Sequence, residues 1–191
     1  MIRRLNAALS ISAALILAGC AQAPAPVAEA KAAFAPQPVA SMLDLMAGPI
    51  DAAADALWDA AGTESTPKGL VDKAPKTDAD WAKLRQQAVL LAETANLLMI
   101  EGRVVAHPGQ TLENPPGEGD LTPEQSLAEI NANRAAFNGF AKVMQDTAVT
   151  AIKAIDGRNV DGLLEAGGNL DEACEACHKR FWYPNAPTPP Q

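Results

Sequence analysis

Aromatic residues are scarce in this chain: three Trp, one Tyr and four Phe among 191 residues. No stretch alternates Val, Ile or Thr with polar residues, which points away from a sheet-based architecture. Bases are few as well, 15 Lys and Arg against 23 Asp and Glu, a formal charge of −8. Such a surface repels phosphate backbones, so nucleic acid is not an expected partner. No Ser/His/Asp set, carboxylate pair tied to a pocket or phosphate-binding loop is present, and there are only two His. The chain therefore does not read as an enzyme. Its length suits one domain with a real core rather than two.

The longest apolar run, Leu5 to Leu17, is short for a bilayer span and follows Arg3 and Arg4. It ends in Leu17-Ala18-Gly19-Cys20, the pattern of a bacterial lipoprotein signal. Residues 1–19 are then expected to be removed and Cys20 to be acylated, placing the chain on the periplasmic side of a membrane. Ala21 after that Cys slightly favours the outer membrane. Removal would take two bases and no acid, leaving 13 bases against 23 acids, a balance of −10. That charge suits a redox partner with a basic docking face, and equally serves solubility. Export also means an oxidising compartment, where Cys-x-x-Cys pairs become disulfides unless something captures them.

What remains reads as helices. Residues 20–38 are rich in Ala and Pro without an amphipathic period, an expected extended tether. A first helix is expected from about Val39 to Ala61, with Met42, Met46, Ile50, Ala53 and Leu57 on one stripe and a kink or break at Pro49. A second follows the Thr77 cap, with Asp80 three residues on, and closes near Gly102. Residues 103–121 form a long Pro/Gly-rich connection. Thr122-Pro123-Glu124-Gln125 opens a third helix whose stripe runs from Leu127 through Arg134 and Phe137 to Ile155. Asp156 to Asn159 is a short turn, so the fourth helix, Val160 to about Trp182, should lie antiparallel to the third. Gly167-Gly168 inside it costs about 1 kcal/mol per residue against Ala, which close approach by another group would explain. The expected fold is all-α: a haem domain over residues 39–183 built as an up-down-up-down four-helix bundle, followed by a disordered tail at 184–191.

Cys174-Glu175-Ala176-Cys177-His178 has the spacing of covalent haem c attachment. Two thiols one helical turn apart can each add to a vinyl group on one porphyrin edge, and the next residue brings an imidazole beneath the iron. A thioredoxin-like site needs a βαβ context that this sequence does not offer. A zinc site needs a fourth ligand, and only distant His107 is left to supply it. A structural disulfide or bare thiols stay open.

With this motif in the last helix of an all-α chain, and Phe181 three residues after the His, residues 39–183 resemble the class II cytochromes c, cytochrome c prime and its low-spin relatives. The resemblance implies one covalent haem on Cys174 and Cys177, with His178 as proximal ligand. It implies a sixth position on the first helix, sixteen residues before a closing glycine; with Gly62 as that glycine, the residue is Met46. Met42, one turn earlier, is the alternative. His/Met ligation would suit periplasmic electron transfer, whereas a non-ligating residue there would imply a five-coordinate protein binding nitric oxide or other small gases. A homodimer stays open. The family's basic residue after the aromatic is Trp182 here, so Lys179 or Arg180 would have to take its role. Arg134 is a candidate for a haem propionate, and Trp58, Trp81, Phe137, Phe140 and Trp182 for core or pocket lining.

Overall fold

The structure is a computed structural model and describes residues 35–113 and 115–187. The expected signal, Cys20 and most of the tether lie outside the described residues, as does the end of the tail, 188–191. The described part is mostly helical with one small two-stranded sheet. No helix among the described residues is long and apolar enough to cross a membrane.

The first helix starts at α1 (Met42–Leu45) because Ser41 and Asp44 form a capping box. Ser41 Oγ accepts from the Asp44 amide at 3.0 Å, and Asp44 Oδ2 accepts from the Ser41 amide at 2.8 Å. The next two orphan amides also find partners: Met42 and Leu43 donate to the carbonyls of Val104 and Val105. At Pro49 the regular α-helical ladder is interrupted, as expected, but the chain stays helical. Its missing N–H is absorbed by a π-helical turn, Met46–Ile50, and the chain continues as α2 (Asp51–Trp58).

The all-α expectation needs one correction. A hairpin, β1 (Gly62–Thr66) and β2 (Gly69–Lys73), pairs antiparallel in the register Gly62↔Lys73 to Thr66↔Gly69. It carries no apolar period because it buries almost nothing; Leu70 is 77 % exposed. Local polar bonds hold it instead, Thr63 Oγ1 to Asp72 Oδ1 at 3.2 Å and Thr66 Oγ1 to the Gly69 carbonyl at 2.8 Å. Alternation of buried and exposed residues, the signal by which strands are read from sequence, is absent here.

Thr77 and Asp80 form the expected box at the head of α3 (Asp78–Leu98), which ends four residues before Gly102. Thr122, Pro123 and Gln125 open α4 (Pro123–Ala132) as expected. The third helix is not continuous, however. It breaks at Asn133, whose side-chain amide donates to the Glu129 carbonyl at 3.0 Å and to Glu129 Oε2 at 3.2 Å. Short polar side chains compete in this way with the helical ladder, and α5 (Arg134–Asp156) starts afresh. Arg158, at φ 51°, makes the turn into α6 (Val160–Phe181), capped by Asn159 Oδ1 on the Gly162 amide at 3.0 Å.

Pairs of contacts fix the alignments. Arg85 meets Asp156 at 2.7 Å while Gln145 donates to the Ala92 carbonyl at 3.1 Å, so α3 and α5 run antiparallel. Phe137 stacks edge-on with Phe181 at 5.4 Å, and Gly162 lies against Ala154, so α5 and α6 do too. α2 packs on both α3 and α6. Small residues carry the closest approaches: Ala53, Ala88, Ala95 and Ala148 are fully buried beside Leu91 and Leu163. The long connection is tied down by Arg103, 4 % exposed, whose guanidinium donates to the carbonyls of Leu97 (3.0 Å) and Ala40.

Candidate functional site

Cys174 and Cys177 lie one turn apart on α6, so both project from the same side of the helix. They and His178 line an apolar cavity of about 330 Å³. The stretch from α1 through the π-helical turn into α2 contributes Met42, Met46, Ala47, Ile50, Ala54 and Trp58 to the same lining. Phe137, Phe140, Ala141 and Met144 of α5 and Ile130 of α4 complete the enclosure. The residues singled out as chemistry-bearing in the last helix and the first therefore meet across one space, although more than 120 positions separate them in sequence.

Both cysteines are free thiols. Burial pushes Cys174 up to about 11, helped by the charge of Asp171. Burial pushes Cys177 up to about 12, with Cys174 adding to the shift. A redox-active Cys-x-x-Cys works through a lowered thiol pKa, so this pair has the opposite electrostatics. Burial also holds His178 below its ordinary value, against the opposing charge of Glu175. Its imidazole is thus neutral at pH 7, with a lone pair free to coordinate. The ring is braced edge-on by Trp182 at 5.1 Å and at a tilt by Tyr183 at 6.1 Å. Tyr183 Oη in turn donates to Glu175 inside the Cys-x-x-Cys turn.

The π-helical turn sets which residues face this space. Its wider turn advances the register after Met46, so Ile50, Ala54 and Trp58 line the cavity while Ala53 and Leu57 turn into the protein core. A stripe read at constant helical period continues through Ala53 and Leu57, which do not line the cavity, whereas Trp58, a candidate for pocket lining by its aromatic character, does. Met42 is 5 % exposed and Met46 half-buried, and both border the cavity.

Other candidates fall elsewhere. Trp81 belongs to the core and not to the cavity. His107 Nε2 sits 2.9 Å from Asp44 Oδ2, bracing α1 from outside. Lys179 pairs with Glu175 at 3.0 Å and Arg180 with Glu129 at 3.1 Å, so each has an acidic partner already. Arg134 Nη2 donates to Asn131 Oδ1 at 2.8 Å and its guanidinium lies 5.5 Å over Phe137, but Arg134 does not line the cavity.

Among the described residues, no three His, Cys, Asp or Glu side chains converge as a metal chelate. A donor set of one imidazole from α6 and a thioether from the first helix, both lining one cavity, suits a metal that brings its own equatorial ligands, as in a porphyrin. Two further observations fit such a group. The cavity volume lies within the range of small-molecule sites, about 300–1,000 Å³. Trp182, which lines it, has a buried Nε1–H with no protein partner; a buried donor of this kind is costly unless something accepts from it. Comparison with protein-family models, with curated proteins and with solved structures returns no match for this chain.

Proposed function

We propose that this chain is a c-type cytochrome carrying one covalent haem c and serving electron transfer rather than catalysis. The observation that carries the proposal is one apolar cavity lined both by Cys174, Cys177 and His178 of α6 and by Met42 and Met46 of the first helix. The haem would supply a reversible one-electron iron couple. Cys174 and Cys177 would hold it through their sulfurs, their neutral thiols being screened from disulfide exchange by burial. His178, kept neutral and oriented by Trp182 and Tyr183, would be the proximal ligand, and Met46 the sixth, with Met42 as alternative. A thioether opposite an imidazole raises the potential, and an apolar wall disfavours the extra positive charge of ferric iron.

The closed succession of contacts from α2 to α3 to α5 to α6 and back to α2 supports a four-helix bundle of the up-down-up-down kind, with α4 and the hairpin as additions in its connections. That arrangement, with the haem motif in its last helix, keeps the chain close to the class II cytochromes c. We further propose anchoring through an acylated Cys20 on the periplasmic side of a bacterial membrane. Ala47 and Ala54 on the wall beside Met46 favour a second reading, a five-coordinate protein that binds nitric oxide or similar gases, should Met46 turn aside.

Absorption spectra of the oxidised and reduced protein separate these readings. A low-spin spectrum in both states, little altered by carbon monoxide, is the expected result. A high-spin spectrum that carbon monoxide shifts at once would favour the gas-binding reading, and the absence of any haem band would overturn both.

A further inference from the structure

Trp58 borders two spaces. Besides the cavity, it lines a surface groove with Ala61, Leu164, Gly167, Gly168 and Asp171. Its indole is locked there: Nε1 donates to the Gly167 carbonyl at 3.0 Å, and a Cβ on Gly167 would sit 3.4 Å from the ring. Gly168 has nothing within 4 Å of where its Cβ would be, so its missing side chain leaves the groove open. These are the two glycines that cost α6 helix stability, and Trp58 explains the first of them.

The groove's centre is apolar, with Leu164 46 % and Trp58 38 % exposed. Asp171 is its one charged lining residue, and the two helices that border it are mostly acidic over the stretches beside it. From Val160 to Cys177, α6 bears Asp161, Glu165, Asp171, Glu172 and Glu175 and no base, and α2 bears Asp51 and Asp55 and no base. The bases of α6, Lys179 and Arg180, lie in its last turn and are paired with Glu175 and Glu129. An apolar centre on predominantly acidic helices suits an electrostatically steered docking site.

We infer that the groove beside Trp58 is where a redox protein with an apolar patch ringed by Lys and Arg docks, Trp58 being the aromatic bridge between that partner and the cavity. This rests on the haem reading above. One electron would pass from the ferrous haem of this chain to a ferric haem of the partner, with no bond made or broken. The first centre is oxidised and the second reduced.

The probe is a small basic ferric cytochrome c, titrated by calorimetry against the haem-loaded chain at about 10 mM ionic strength, where surface charge is weakly screened. Asp171→Lys should weaken binding at least tenfold. Gly168→Gln, which fills the groove with a neutral side chain on a helix-favouring residue, should do the same while the haem spectrum stays that of wild type. Glu101→Lys makes the same change of net charge beyond the end of α3, an element that lends the groove nothing, and should shift the dissociation constant no more than about twofold. Raising the salt to about 300 mM should erase the difference between Asp171→Lys and wild type. A haem-loaded chain whose Asp171→Lys and Gly168→Gln variants bind as wild type does would overturn the docking site alone. Self-association that both variants abolish would put a second copy on the groove and overturn the basic partner. A chain that purifies without haem would remove the reading beneath the inference, and the inference with it.

Discussion

Met46 and Met42 differ in what each can contribute at the cavity wall. Met42 is a core residue, 5 % exposed, in the first turn of α1 with its amide bonded to Val104. Met46 is half-buried and opens the π-helical turn, whose wider geometry is a recurrent feature of functional sites. Leu substitutions nearly preserve volume, so each should cost under about 1.5 kcal/mol of stability. Met46→Leu should convert a low-spin haem to high-spin and open it to carbon monoxide. Met42→Leu should leave the spectrum alone; a spin change in Met42→Leu instead would transfer the ligand role to it. The Cys-x-x-Cys-His spacing was legible because its chemistry is local to one helical turn. The second space that Trp58 borders was not legible, because its place depends on the π-helical turn around Pro49, nine residues earlier.

Caps were the most legible elements. Ser/Thr boxes need only three intervening bonds, and Thr77 with Asp80 and Thr122 with Gln125 begin α3 and α4 where sequence placed them. The break at Asn133 and the hairpin were not legible, for the same reason: both are decided by short polar side chains bonding their own neighbourhood, which leaves no hydrophobic period. The Asp80 carboxylate illustrates what a cap contributes. Bonds from the Thr77 backbone, then from its side chain, hold its pKa below the ordinary 3.8. A carboxylate depressed in the fold stabilises above its unfolded pKa, and that contribution is lost as pH falls through the folded one. Thermal melts of wild type and Asp80→Asn should therefore differ at pH 7 and converge as pH falls below about 3.8. A gap that persists unchanged at pH 2.5 would mean that the capping charge is not its source.

At the scale of the whole molecule, the middle of the chain is tied to the end of α6. The Leu121 amide donates to the Trp182 carbonyl at 2.8 Å, Ser126 Oγ donates to the Phe181 carbonyl at 2.8 Å, and Gly119 leaves room for the backbone of Asn185. The long connection is thereby pinned against the end of the helix that carries the cavity cysteines. An anchor at Cys20 would hold this body at a membrane surface by several acyl chains, since one alone anchors only marginally. Cys20→Ser should move the protein from the membrane fraction to the soluble fraction, and a wild type that is fully soluble after fractionation would contradict the anchor. Antiparallel neighbours across the Asp156–Asn159 turn were expected from its length alone, whereas the meeting of α2 with α6, where the Trp58 indole bonds the Gly167 carbonyl, is a long-range contact that no local spacing announces. The central claim, that Cys174 and Cys177 hold a haem, is tested most directly by the intact mass of the denatured protein, expressed with haem-attachment machinery. The account predicts a mass one haem above that of the chain for wild type, and the bare chain for Cys174→Ser/Cys177→Ser. A wild type at the mass of the bare chain, or a double variant that keeps the added mass, would contradict it.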